Sequence, residues 1–203
     1  MRNIKTACIQ GNIFYDCSGY NGIANFQSED ANVKQRNNVF KNNEIIGAED
    51  GQVLLRVHSE NVDINLVGDF DNNYYSNPLS DGIVIAWKDP NFRNAERSDL
   101  KDWTAFSGLD ANSHQCEERV SSKKDLQFEY NASKADKVVR LSQPMMDVKG
   151  NKYHSSVTLK PFTAVVLMED PNPNPDPEPD PDPIPDPEVD PVVPAFTVKT
   201  NNV

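Results

Sequence analysis

No stretch of this sequence approaches the 18 or more consecutive apolar residues of a membrane-spanning helix, so membrane insertion is not expected. The opening residues Met1 to Gln10 hold no apolar core of the signal-peptide kind. Cysteine is scarce. The three thiols, Cys8, Cys17 and Cys116, are odd in number and form no disulfide framework of the small secreted type, and no Cys-x-x-Cys pair offers a zinc site. They read as buried or incidental thiols, with a Cys8–Cys17 bridge between neighbouring strands as the alternative. Basic residues are also in short supply, 20 Lys and Arg against 31 Asp and Glu. Without a basic stripe, nucleic acid is not an expected partner.

Proline is sparse and then abundant. Four prolines (Pro78, Pro90, Pro144 and Pro161) lie before residue 170 and eleven lie after it. The segment Glu169–Asp190 carries nine carboxylates and neither lysine nor arginine. Setting aside these nine acids and Lys199 leaves 22 acids against 19 bases, so the remainder is near neutral and the tail supplies most of the acidity. Residues 170–193 have too little apolar surface to fold, and read as a disordered, semi-rigid Pro/Asp-rich linker. Residues 194–203, with Pro194-Ala195-Phe196-Thr197-Val198-Lys199, read as the start of a further, truncated module.

What is plentiful is asparagine beside apolar pairs. Gly11-Asn12-Ile13-Phe14-Tyr15, Asn37-Asn38-Val39-Phe40 and Asp71-Asn72-Asn73-Tyr74-Tyr75 share an Asn-apolar-aromatic core. Aligned from Asn12 to Asn38 and from Asn38 to Asn73, the core steps by 26 and 35 residues, in the range of stacked repeat folds. Short apolar runs separated by Asn, Asp, Ser and Gly predict strands, among them Gly22–Phe26, Glu44–Ile46, Val53–Val57, Val62–Leu66 and Ile83–Ile85. Asparagine suits the bends between them because it tolerates left-handed backbone and bonds neighbouring amides, so ladders of asparagine are expected there. Ser98-Asp99 is placed to cap a short helix in which Leu100, Trp103 and Phe106 fall at helical spacing, a candidate lid for the open end of the stack. Residues 1–118 are therefore read as parallel β-helix coils with their cap. Residues 119–169 are read as a small antiparallel β unit packed onto that cap. In it Ala164–Met168 is continuously apolar, as for a strand covered on both sides.

The Asn-apolar-Phe coils, followed by Leu100-x-x-Trp103 and by Ser107-Gly108-Leu109-Asp110-Ala111-Asn112-Ser113, resemble the C-terminal region of secreted bacterial right-handed parallel β-helix proteins of the pectin-lyase-like fold. Tyr130–Ser133, Asp147–Asn151 and Val157–Leu167 are similar to the β unit that often closes such proteins. The resemblance covers residues 1–168. It implies an all-β, monomeric, secreted or cell-surface protein whose partner is a polysaccharide. The chain would be the C-terminal portion of a lyase or glycoside hydrolase, or of a non-catalytic carbohydrate-binding or cell-surface β-helix protein. Its catalytic coils would lie upstream of residue 1.

Few residues are candidates for chemistry. Asp69 and Asp71, if extended, point to one face at roughly 6.5–7 Å, compatible with an inverting glycosidase pair, a Ca2+ site, or a solvated turn. Arg56 and His58 share one face of a strand and match by type the cation and base that a uronate lyase needs, or are ordinary solvent-face residues. Trp87, Tyr74 and Tyr75 are candidates for stacking on sugar rings, whereas Trp103 is expected to pack inward. His114 and His154 have no stronger case, and no cofactor motif is present.

Overall fold

A computed structural model describes residues 7–17, 22–27, 34–80, 82–91 and 94–173. The Pro/Asp-rich linker beyond Pro173 and the strand expected at 194–199 lie outside the described residues. The described residues belong to one compact unit, Met1–Pro173. They are all-β apart from one α-helix and two short 3-10 turns.

Strands come in triplets. The first is β1 (Cys8–Gln10), β2 (Ile13–Tyr15) and β3 (Ala24–Gln27). The second is β4 (Asn38–Lys41), β5 (Glu44–Ile46) and β6 (Val53–His58). The third is β7 (Gly68–Asp71), β8 (Tyr74–Ser76) and β9 (Val84–Lys88). Corresponding members pair in parallel, giving the stacks β1-β4-β7, β2-β5-β8 and β3-β6-β9. Parallel register puts like residues above like. Ile9, Phe40 and Phe70 form one column, Phe14, Ile45 and Tyr75 a second, and Phe26, Val57 and Trp87 a third. All nine belong to, or pack against, a single apolar core. Burying each such side chain contributes about 1.5–3 kcal/mol over leaving it exposed.

The corners explain the asparagines. Gly11, Asn42 and Asn72 each take left-handed backbone (φ 65°, 55° and 55°), which glycine and asparagine adopt most readily. The residues that follow, Asn12, Asn43 and Asn73, turn their amides along the stack. Asn12 Nδ2 donates to Asn43 Oδ1 at 3.2 Å, and Asn43 Nδ2 donates to Asn73 Oδ1 at 3.1 Å. The steps are 31 and 30 residues, not 26 and 35. The second turn of chain has two asparagine-marked corners, Asn37-Asn38 and Asn42-Asn43, and the sequence alignment paired Asn12 with the wrong one. Asn38 instead sits opposite Gly68, where a Cβ would lie 2.3 Å from the Asn38 carbonyl oxygen. Only glycine fits that crossing.

Val62–Leu66 is not a strand. Ile64–Leu66 is a 3-10 turn whose entry is held by side chains: Val62 N–H donates to Ser59 Oγ (3.1 Å) and Ile64 N–H to Asp89 Oδ2 (2.9 Å). Val62 and Ile64 do go inward, but Leu66 is exposed, so the alternation marked a buried corner.

A strand and a helix follow the third layer. Strand β10 (Glu96–Ser98) runs antiparallel along β9 and leads to helix α1 (Leu100–Ser107). Asp99 caps α1 by accepting from Asp102 N–H at 2.8 Å, and Gly108 ends it with φ 69°. Leu100 and Trp103 enter the core, while Phe106 stays 40 % exposed and stacks on Trp87 with centroids 4.0 Å apart. Strand β11 (His114–Cys116) then joins the β2-β5-β8 stack in parallel.

The antiparallel unit has two layers. One sheet orders β12 (Gln127–Tyr130), β17 (Ala164–Glu169), β14 (Met145–Asp147) and β15 (Lys152–Tyr153). The other pairs β13 (Lys137–Arg140) with β16 (Ser156–Leu159). Strand β17 is covered on both faces: Val165 and Leu167 meet Val139, Val157 and Leu159, and Val166 and Met168 face the other way. That second face does not rest on the cap. It packs on the outside of the β2-β5-β8-β11 stack, joining Met146 and Val148 to Ile13, Ile46, Tyr74 and Cys116. In Glu44-Ile45-Ile46 the outward Ile46 is as buried as the inward Ile45, so this flank must be covered. Cys8, Cys17 and Cys116 are all free thiols, so the Cys8–Cys17 bridge does not form.

Candidate functional site

Arg56 and His58 alternate with inward Leu55 and Val57 on β6, so both point outward. Parallel pairing lines His58 up with Lys88. His58 Nε2 lies 2.9 Å and Lys88 Nζ 2.6 Å from the same Glu60 oxygen. The Lys88 hydrogen bond, ahead of the weaker His58 contact, holds the Glu60 carboxyl below its ordinary range. His58 and Lys88, a cation not named from the sequence, thus share one protein carboxylate.

Asp69 and Asp71 flank the inward Phe70 on β7, an extended strand. Asp69 is bound to Lys41 at 2.6 Å. Asp71 accepts from Asn112 N–H (2.7 Å) and Asn112 Nδ2 (2.9 Å), which ties the lid loop to the third layer. Burial pushes the Asp71 carboxyl up, but these bonds and the Lys41 charge outweigh it and leave it below the ordinary range. Each carboxylate therefore has its own structural engagement.

Tyr75 and Trp87 are interior. Tyr75 has no exposed surface, and its hydroxyl meets Asp110 at 3.2–3.3 Å. Asp110 also accepts from Asn73 Nδ2 (2.9 Å), Trp103 Nε1 (2.9 Å) and Ser113 Oγ (2.6 Å). Burial raises the Asp110 carboxyl above its ordinary range against these four donors, and burial beside Asp110 raises the Tyr75 phenol far above its own. Asp110 is thus where the asparagine ladder, the helix and the lid loop meet, a structural role. Trp87 is 8 % exposed beneath Phe106. Of the aromatic candidates only Tyr74 faces outward, with its ring 5.0 Å from that of His114 on the neighbouring strand. His154 follows β15 directly.

The three most exposed of the described rings lie on the antiparallel unit, where the sequence marked no site. Phe128 is 50 % exposed, Tyr130 46 % and Phe162 60 %. Phe128 and Tyr130 occupy alternate positions of β12, opposite Val166 and Ala164, so they share the face that Val166 presses onto the stack. Phe128 stacks at 5.7 Å on Tyr15 of β2. With Phe162 the two rings border a depression of about 510 Å³ whose other walls include Gly11, Asn12, Ile13, Glu44, Lys149 and Thr163. A second depression of about 400 Å³ shares Lys149 and is lined by Tyr74, His114, Glu117 and Glu118. Lys149 Nζ bonds Glu44 at 2.6 Å and sits 5.8 Å from the centre of the Tyr74 ring.

Phe162 is held there by force. It is the third residue of a turn closed by Thr163 N–H donating to the Lys160 carbonyl, and its φ of 58° is one that a bulky side chain adopts at a cost. Asn131 locks the turn: its Nδ2 donates to the Leu159 and Lys160 carbonyls, its carbonyl accepts from Phe162 N–H, and its N–H donates to Thr163. The buried Asn131 side chain is thereby committed to the fold, and the Asn131-Ala132-Ser133 sequon is not a free acceptor. The signal for this site was the alternation Phe128-x-Tyr130 and the Pro161-Phe162 pair, neither of which was singled out as a site from the sequence.

Among the described residues no group of three or more His, Cys, Asp or Glu side chains is placed to hold a metal ion, and no helix is long and apolar enough to cross a membrane. No family model, curated protein or solved structure matches the chain.

Proposed function

We propose that this chain is the C-terminal portion of a polysaccharide-processing protein built as a right-handed parallel β-helix, secreted or displayed on a bacterial surface and monomeric. Its own contribution is to hold the glycan at the flank depression. The coil reading is supported by parallel stacks that take one strand from each triplet and by the Asn12–Asn43–Asn73 ladder ending on Asp110. The binding reading rests on one observation: three half-exposed rings, Phe128, Tyr130 and Phe162, border one depression. Aromatic faces match the apolar faces of pyranose rings, and solvent-exposed rings gathered at one place mark an interaction site.

The test is calorimetric titration of the chain with a panel of soluble polysaccharides, alongside a Phe128→Ala/Tyr130→Ala variant. Binding of at least one glycan, weakened tenfold or more in the variant, supports the reading. Equal binding by both proteins overturns the site. A second reading, lyase or hydrolase chemistry within this portion, draws its support from Arg56, His58 and Lys88 sharing a sheet face. It requires bond cleavage that His58→Ala abolishes.

A further inference from the structure

We infer that the flank depression takes neutral glycan chains and rejects uronate or sulfated ones, an inference that rests on the glycan-binding reading above. The argument is one of charge. Among the described residues lining the 510 Å³ depression only Glu44 and Lys149 are charged, and they are bonded to each other at 2.6 Å. Glu44 is 7 % exposed. If Lys149 swung out to meet a ligand carboxylate it would strand a buried carboxylate, which is more unfavourable than the gain from a new, partly exposed ion pair. Lys149 is therefore committed.

The surroundings point the same way. Lys123 is bonded to Asp16, Lys137 to Glu129 and Lys160 to Asp136, so cations on adjoining elements already have carboxylate partners. The adjoining 400 Å³ depression adds Glu117 and Glu118. An anionic sugar entering here would lose water and meet no uncommitted ammonium among the described residues of the lining. A neutral hexose or pentose presents C–H faces to Phe128, Tyr130 and Phe162, and its hydroxyls need no counter-charge.

Phe162 is the ring that the fold holds out at the expense of its own backbone, and strain of this kind persists where the surroundings over-determine it. It should be the anchor. Phe162→Asn isolates that role, because asparagine tolerates left-handed φ and removes the ring without breaking the turn.

The experiment uses the full chain and titrates hydroxyethyl cellulose, galactomannan and xylan against polygalacturonate and alginate, at low and at high NaCl. The expected result is binding of at least one neutral polymer with an affinity that salt changes less than twofold. Phe162→Asn should weaken that binding at least tenfold with an unchanged or raised melting temperature. Glu44→Gln, which releases Lys149, should add salt-sensitive binding of polygalacturonate. Tighter, salt-sensitive binding of polygalacturonate or alginate by the unaltered chain overturns this inference and leaves the glycan-binding reading standing. Retention of none of the five polymers overturns both. A concentration-dependent dimer that Phe162→Asn abolishes would assign the rings to a second copy and likewise overturn both.

Discussion

Asn43→Ala is the sharpest probe of how the stack is held together. The Asn43 side chain has no exposed surface and its amide makes four bonds. Oδ1 accepts from Asn12 N–H (3.0 Å) and Asn12 Nδ2 (3.2 Å); Nδ2 donates to the Ile9 carbonyl (3.1 Å) and Asn73 Oδ1 (3.1 Å). Alanine removes all four, but not every partner is stranded. Asn73 Oδ1 keeps the Asn43 backbone N–H at 3.0 Å, and Asn12 Nδ2 keeps the Gln10 carbonyl at 2.8 Å. The loss falls on Asn12 N–H and on one bond of the Ile9 carbonyl. Taking about 1 kcal/mol for the ordinary bond and about 1–3 kcal/mol for the donor left unpaired gives about 2–4 kcal/mol in total. For a chain of this size that is a fall of about 10 °C in Tm. Urea unfolding should show the midpoint moving at constant m-value. Asn12→Ala is the control: it removes only the exposed end of the ladder and should lose about 1 kcal/mol or less. An Asn43→Ala loss below about 1 kcal/mol, or one equal to that of Asn12→Ala, refutes the ladder as a stabilising element.

Gly68→Ala should be at least as damaging, by about 3 kcal/mol or more, because the new Cβ meets a backbone oxygen that has no side chain to move aside; chemical denaturation measures it. For Asp110 the folded-state carboxyl is raised by burial, so between the ordinary carboxylate pKa and the raised one the folded state binds more protons than the unfolded state. Its contribution is therefore largest in acid and lost as pH rises, and the Tm gap between the unaltered chain and Asp110→Asn should narrow from pH 4 to pH 7. Asp71 has the opposite sign. Its lowered pKa means that its stabilisation is present above the ordinary carboxylate pKa and is lost as pH falls, so Asp71→Ala should lose about 1 kcal/mol at pH 7 and nothing near pH 2.

Much of the architecture was legible because its causes are local. Left-handed corners call for glycine or asparagine, and Gly11, Asn42 and Asn72 supply them. The helix from Leu100 carries its own cap in Asp99 and its own stop in Gly108. What the sequence hid depended on pairing. Asn12 has two plausible mates, Asn38 and Asn43, and only register in space selects the second. Val62, Ile64 and Leu66 alternate as a strand does, yet Asp89, distant in sequence, turns that segment into a corner. The same limit applies to function. Tyr75 and Tyr74 are neighbours with opposite fates, one against Asp110 in the interior and one on the flank beside His114. Nothing in the alternation of β12 says that Leu126 is covered while Phe128 and Tyr130 run past the edge of the stack.

The brace formed by the antiparallel unit has a mechanical consequence. Stacked layers that touch only their neighbours fray from an end, layer by layer. Here one apolar seam reaches Ile13, Ile46, Tyr74 and Cys116, one residue from each successive level of the flank. No level can peel away without opening the seam beside the others. Native-state hydrogen exchange should therefore find β2, β5 and β8 opening together with β17, as one cooperative block where an unbraced stack would show a gradient.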